Sequence, residues 1–164
     1  MNTNRFLIIS FSAGVSITYV LLELFPVFTE VALSINKLIF VSVLFGFITH
    51  HLIEKEIYKH NHKHELIRML SLEENFSSFI YHFIIGMILV AFVNQSIVQA
   101  LLYFLPMITF TLVTTLPSHF SADRAIIISF STLLGVTTAI IFDLALWLEF
   151  SLVGLVIGML LFTV

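Results

Sequence analysis

Six apolar runs, each about as long as the hydrocarbon core of a bilayer is thick, dominate this 164-residue sequence. They are Phe6 to Phe25, Val31 or Leu38 to Ile53, Phe76 to Val93, Ile97 to Leu116, Ala125 to Phe142, and Leu144 or Leu148 to Val164. None alternates with the period of a membrane barrel strand, and lipid satisfies no open strand edge, so each run must be helical. Composition agrees, because with 59% hydrophobic and 10% charged residues there are too few polar side chains to cover a water-soluble domain. The expected fold is therefore all-α, a polytopic membrane helix bundle of about six transmembrane helices, with residues 1–164 forming a single transmembrane domain.

Polar residues punctuate the runs. Pro26 with Thr29 and Glu30 closes the first, Asn94-Gln95-Ser96 the third and Pro117-Ser118 the fourth, while Ser121 or Asp123 offers a cap to the fifth. Met1 to Arg5 precede the first run with no small-residue cleavage site, which predicts a retained first helix. With six spans, Arg5, Lys55, Lys59, Lys63, Arg68 and Arg124 fall on one side and Lys37 on the other. Basic residues favour the cytoplasmic side, so both termini and the hydrophilic stretch 54–75 are expected there, in a plasma or inner membrane. Seven dispersed Lys and Arg make no nucleic-acid surface, and the absence of cysteine leaves His, Asp and Glu as the only strong metal ligands.

The stretch 54–75 reads as a cytoplasmic His-rich loop. His60, His62 and His64 share one face if extended, and His60 and His64 share one if helical, so either conformation offers imidazoles to a divalent metal ion. The same tract is also what an ordinary solvated linker with incidental histidines looks like. Inside the spans, three polar stripes recur at helical spacing: Ser12, Ser16, Tyr19 and Glu23; Asn75, Ser78, His82 and Gly86; and Gln99, Tyr103, Met107, Thr111 and Thr114. Such stripes line a pathway or form the small-residue interfaces through which membrane helices pack. Ionisable groups are costly in lipid, which singles out His82 and Glu23 as candidate metal-binding pathway residues. Pro106 is placed to kink the fourth helix. Asp143 and Glu149 fall at a turn between the last two runs and receive no role.

Several motifs, in order, resemble the ZIP family of divalent-metal transporters. Phe11-Ser12-Ala13-Gly14-Val15 followed by Leu22-Glu23-Leu24-Phe25-Pro26 is similar to the family's second helix, and Phe45-Gly46-Phe47 with Ile53-Glu54-Lys55 and the His-rich stretch to its third. Tyr81-His82-Phe83-Ile84-Ile85-Gly86 and Tyr103-Phe104-Leu105-Pro106-Met107 fall where the family's fourth and fifth helices carry their metal-binding motifs. Ser121-Ala122-Asp123-Arg124-Ala125 with Gly135 resembles the sixth, and Gly154 with Gly158 suits the seventh. At the ligand positions of helices four and five stand Tyr81, Ile85, Tyr103 and Met107, with His82 at the family's Asn position and Glu23 where the second helix has His.

The resemblance implies a ZIP-like transporter for a divalent metal such as zinc, with a degenerate transport site and no resident cofactor. The alternative is a non-transporting scaffold or regulatory subunit on the same fold. Expected partners are the lipid bilayer, the metal ion and, to complete a bundle, a second copy of the chain. No nucleophile with a neighbouring base is visible, so an enzyme is not expected.

Overall fold

A computed structural model describes residues 3–60, 63–115, 122–142 and 144–163. The chain is an all-α bundle. Helix α1 (Thr3–Tyr19) runs through a π turn (Val20–Leu24) directly into α2 (Phe25–Ile35), making one long rod. After a 3₁₀ turn (Lys37–Ile39) come α3 (Phe40–His60), α4 (Lys63–Gln95), α5 (Ile97–Thr115), α6 (Ala122–Ile141) and α7 (Leu146–Thr163). Segments Ser10–Ile35, Lys37–Lys59 and Glu65–Gln95 are long and apolar enough to cross a membrane, and shorter apolar stretches lie in α5, α6 and α7. Leu7, Phe11, Leu22, Leu38, Ile67 and Ile140 are exposed large apolar side chains, as the outer face of a membrane protein requires.

Two stops expected from the sequence are not stops. Pro26 does not end the first helix. A proline inside an α-helix removes a hydrogen bond and crowds the preceding turn, but here the turn before it is π, with the Phe25 N–H reaching the Val20 carbonyl. The wider turn accommodates the ring, and the helix continues to Ile35. Its end comes at Asn36, whose extended backbone breaks the helix and whose Oδ1 accepts from the Leu38 N–H at 2.9 Å. The polar stretch 54–75, expected as a loop, is likewise helix on both sides: α3 carries on to His60 and α4 begins at Lys63. Between Phe47 and Ile85 there is no Gly or Pro, and the Glu, Lys, Leu and Arg that fill the stretch are good helix formers.

The bundle is built from two intimate helix pairs, α4 with α6 and α3 with α7. Both cross at glycine. A Cβ on Gly86 of α4 would strike the Thr132 carbonyl of α6, and one on Gly135 of α6 would strike the Phe83 carbonyl of α4. In the second pair, Gly46 of α3 faces the Leu155 carbonyl of α7, and Gly158 of α7 faces the Val43 carbonyl of α3. Small residues let membrane helices approach until backbone touches backbone, gaining dispersion contacts that lipid cannot supply. Gly154 adds a pocket for the ring of Phe28, which is fully buried and meets Phe40 edge-on at 5.2 Å. Leu24, Phe28 and Ala32 from the first rod, Ile84, Ile85 and Ile88 from α4, and Val156, Ile157 and Leu160 from α7 form the core. Helix α5 lies outside this framework, against α1 and α4.

Gly135→Ala and Gly158→Ala each place a methyl group against a backbone carbonyl, and each is expected to cost about 1–3 kcal/mol. Gly14, with nothing within 4 Å of an added Cβ, is the control. Thermal unfolding in detergent should show a clear fall for the first two and no fall for Gly14→Ala.

Candidate functional site

Helices α1, α4 and α5 meet along a polar seam. Ser12, Ser16 and His82, three of the four buried polar residues among those described, lie on it; the fourth, Ser131, is on α6 and bonds to the Ile128 carbonyl of its own helix. The stripe Gln99, Tyr103, Met107 and Thr111 of α5 supplies one wall. From Gln99 to Thr111 an α-helix rises about 18 Å, a large part of a bilayer's hydrocarbon depth.

At one end of the seam sits His82. Its Nδ1 donates to the Ser78 carbonyl, four residues back on α4, at 2.7 Å, and its Nε2 faces the Thr111 hydroxyl of α5 at 2.9 Å. With Nδ1 carrying the proton, a neutral ring accepts from Thr111 at Nε2. Thr111 has a second acceptor within reach, the Met107 carbonyl at 2.9 Å. Its one hydroxyl proton can therefore turn away and leave the Nε2 lone pair to another partner. Tyr81 packs edge-on against the His82 ring, with centroids 5.1 Å apart, and donates to Met107 Sδ at 3.1 Å.

Pro106 organises the middle. It lies inside α5, and its carbonyl receives the Thr109 hydroxyl at 2.8 Å and, across the helix boundary, the Ser16 hydroxyl at 3.4 Å. Ser16 also bonds back to the Ser12 carbonyl at 2.9 Å. One turn further on α5, Tyr103 is completely buried, with Phe92 edge-on at 5.1 Å, and its hydroxyl meets no hydrogen-bond partner among the described residues. On the other side of α1, Ser16, Ile17, Val20 and Leu21 face Leu160 and Leu161 of α7 across a mostly apolar cavity of about 180 Å³.

The candidate metal residues do not converge. Glu23 is exposed, inside the π turn, and borders a small cavity with Tyr19, Phe92 and Gln99. His82 is bonded to Ser78 and Thr111 instead, and among the described residues no three His, Asp or Glu side chains come together as a metal site. His62 and the side chains of His60 and His64 lie outside the described residues, as does that of Thr114. Gly86, expected on the polar stripe of α4, faces α6.

A second polar contact joins α3 to α4. His50 Nδ1 lies 3.2 Å from Glu73 Oε1, with both side chains mostly buried, and the Ser77 hydroxyl donates to the same oxygen at 2.9 Å. The Phe162 ring of α7 stacks on His50 at 5.4 Å, and Phe47 and His51 meet the same ring. Nothing in the sequence pairs His50 with Glu73, since the register of two helices across a turn is set by their packing. Tyr81 stands out in the sequence only as a departure from the ZIP motifs, whereas Tyr103 also belongs to the polar stripe of its helix; in the fold both are buried at the seam.

No family model matches the chain, and neither a curated protein nor a solved structure matches it.

The His82–Thr111 contact ties α4 to α5. Thr111→Val is expected to lower stability by about 0.5–1.5 kcal/mol. In a double-mutant cycle with His82→Leu the two effects should not add, because the second substitution removes a partner already lost.

Proposed function

We propose that this chain is a ZIP-like integral membrane transporter whose solute pathway is the α1–α4–α5 seam, with a divalent metal ion such as zinc as cargo and a degenerate binding site. The observation that carries this reading is His82. It is a buried imidazole in an apolar bundle, and the hydroxyl facing its Nε2 has a carbonyl to turn to. Polar side chains are expensive in a membrane, and a line of them spanning three helices is the arrangement a conducting path needs. The π turn and Pro106, both irregularities of helices bordering the seam, support the same reading, because transporter sites recur where membrane helices are interrupted. On this reading Glu23 is an outlying carboxylate at the mouth, and His60, His62 and His64 form a cytoplasmic sink for the arriving ion. The excess of basic residues supports a cytoplasmic side for both termini and the stretch 54–75, in a plasma or inner membrane.

The residues predict weak metal binding. A zinc ion seeks three or four N or O ligands, and the seam offers one imidazole with hydroxyls and a thioether around it. The second reading, a non-transporting scaffold or regulatory subunit that assembles with a second copy, is favoured by the bonding of both His82 ring nitrogens inside the chain's own bundle.

Zinc uptake into proteoliposomes holding an internal indicator separates the two. Transport predicts saturable flux, reduced by about tenfold or more in His82→Ala, as when a metal ligand or its support is removed. Changing His60, His62 and His64 together to Ala should leave the initial rate intact. Folded protein with no flux above empty liposomes removes zinc transport and favours the scaffold.

A further inference from the structure

The seam holds a sulfur atom beside its imidazole, and the two residues are tied together twice. Tyr81 touches both: its hydroxyl donates to Met107 Sδ at 3.1 Å, and its ring packs edge-on against that of His82, its neighbour on α4. Thr111 closes the circle, because its hydroxyl lies 2.9 Å from His82 Nε2 and 2.9 Å from the Met107 carbonyl oxygen, one turn back on α5. Nε2 is thereby held against the residue that carries the sulfur. A methionine side chain is unbranched and turns about three bonds, so its thioether can swing to the Nε2 lone pair once Thr111 gives its proton to the carbonyl.

The chemistry of this pair selects an ion. A thioether is a soft ligand that favours Cu(I), and an imidazole suits copper as well. Zinc seeks three or four N, O or S ligands, whereas Cu(I) is held by two. Tyr81, His82 and Met107 are all buried, and no Asp or Glu is among the buried residues described. A divalent ion there would keep its charge uncompensated, and the cost of taking an ion out of water grows as the square of that charge. A soft monovalent ion meets neither obstacle.

We propose that His82 Nε2 and Met107 Sδ form a binding site for a soft monovalent cation, Cu(I) or its redox-inert counterpart Ag(I), with the Thr111 hydroxyl as the competitor that the ion displaces from Nε2. The proposal rests on the reading of the seam as a metal path and names the class of ion that path favours. Binding at equilibrium tests it without any flux.

The test is calorimetric titration of silver nitrate and, separately, of zinc acetate into purified protein in chloride-free detergent buffer, with His60, His62 and His64 changed to Ala to remove their imidazoles. Silver is expected to bind more tightly than zinc. Met107→Leu, close in volume to the parent residue, should weaken silver binding by about tenfold or more, and so should His82→Leu. Thr111→Val takes away the competing hydroxyl and should bind silver at least as tightly as the parent, the opposite of what a loosened fold would give. X-ray absorption at the silver edge should show a sulfur neighbour that disappears in Met107→Leu. Silver affinity unchanged in Met107→Leu or His82→Leu, zinc bound more tightly than silver, or silver binding lost in Thr111→Val overturns the proposal. Silver binding that depends on Met107, with no metal uptake into proteoliposomes, would instead count against the transport reading alone.

Discussion

Backbone contact at glycine is the constraint on which the rest of the structure depends. Lipid tails are as apolar as leucine, so the hydrophobic effect that drives soluble cores together has little purchase between these helices. What remains is close packing. Gly86 with Gly135, and Gly46 with Gly158, bring helix axes near enough for carbonyls of one helix to lie over the Cα atoms of the next. The two pairs lock α4 to α6 and α3 to α7, and contacts of α4 with α3 and α7 join them into one block. Helix α5 and the first half of the long rod are held by fewer, more polar contacts.

That division of labour places the polar seam where the helices pack less extensively. Its members are joined by single hydrogen bonds of Ser16, His82 and Thr111 to neighbouring carbonyls and hydroxyls, each worth little and each replaceable. Helix α5, with Pro106 in its interior, packs less extensively than the glycine-paired helices do on each other.

The sequence and the fold agree where physics is local and part where it is not. Hydropathy is a property of each segment by itself, so the helical spans could be read directly, and so could the stripe Gln99, Tyr103, Met107 and Thr111, which needs only the helical repeat. Pro26 and the charges of 54–75 look like boundaries in the sequence, yet helix runs through Pro26, on to His60 and from Lys63. A proline stops a helix only if the turn before it stays α, and charged residues end a span of membrane without ending a helix. The glycine crossings were beyond reach for another reason: Gly86 belongs to the polar stripe of its own helix by spacing, and only the arrival of α6 decides which side it serves. The same holds for His50 and Glu73, and for the separation of His82 from Glu23, two residues whose costliness in lipid linked them before any geometry did.

The first rod shows one more consequence. Ser12, Ser16, Val20, Leu24, Phe28 and Ala32 are all buried, a period of four that an α-helix cannot keep on one side, because it drifts about 40° with every step. The five-residue π turn at Val20–Leu24 resets the phase midway, like a tooth skipped in a gear train. It sets the angle between the polar half of the stripe, which meets α5, and the apolar half, which meets α7. Seam and core are thus geared through five residues, and a turn that relaxed to α would rotate one against the other by about 100°, the angle of a single residue.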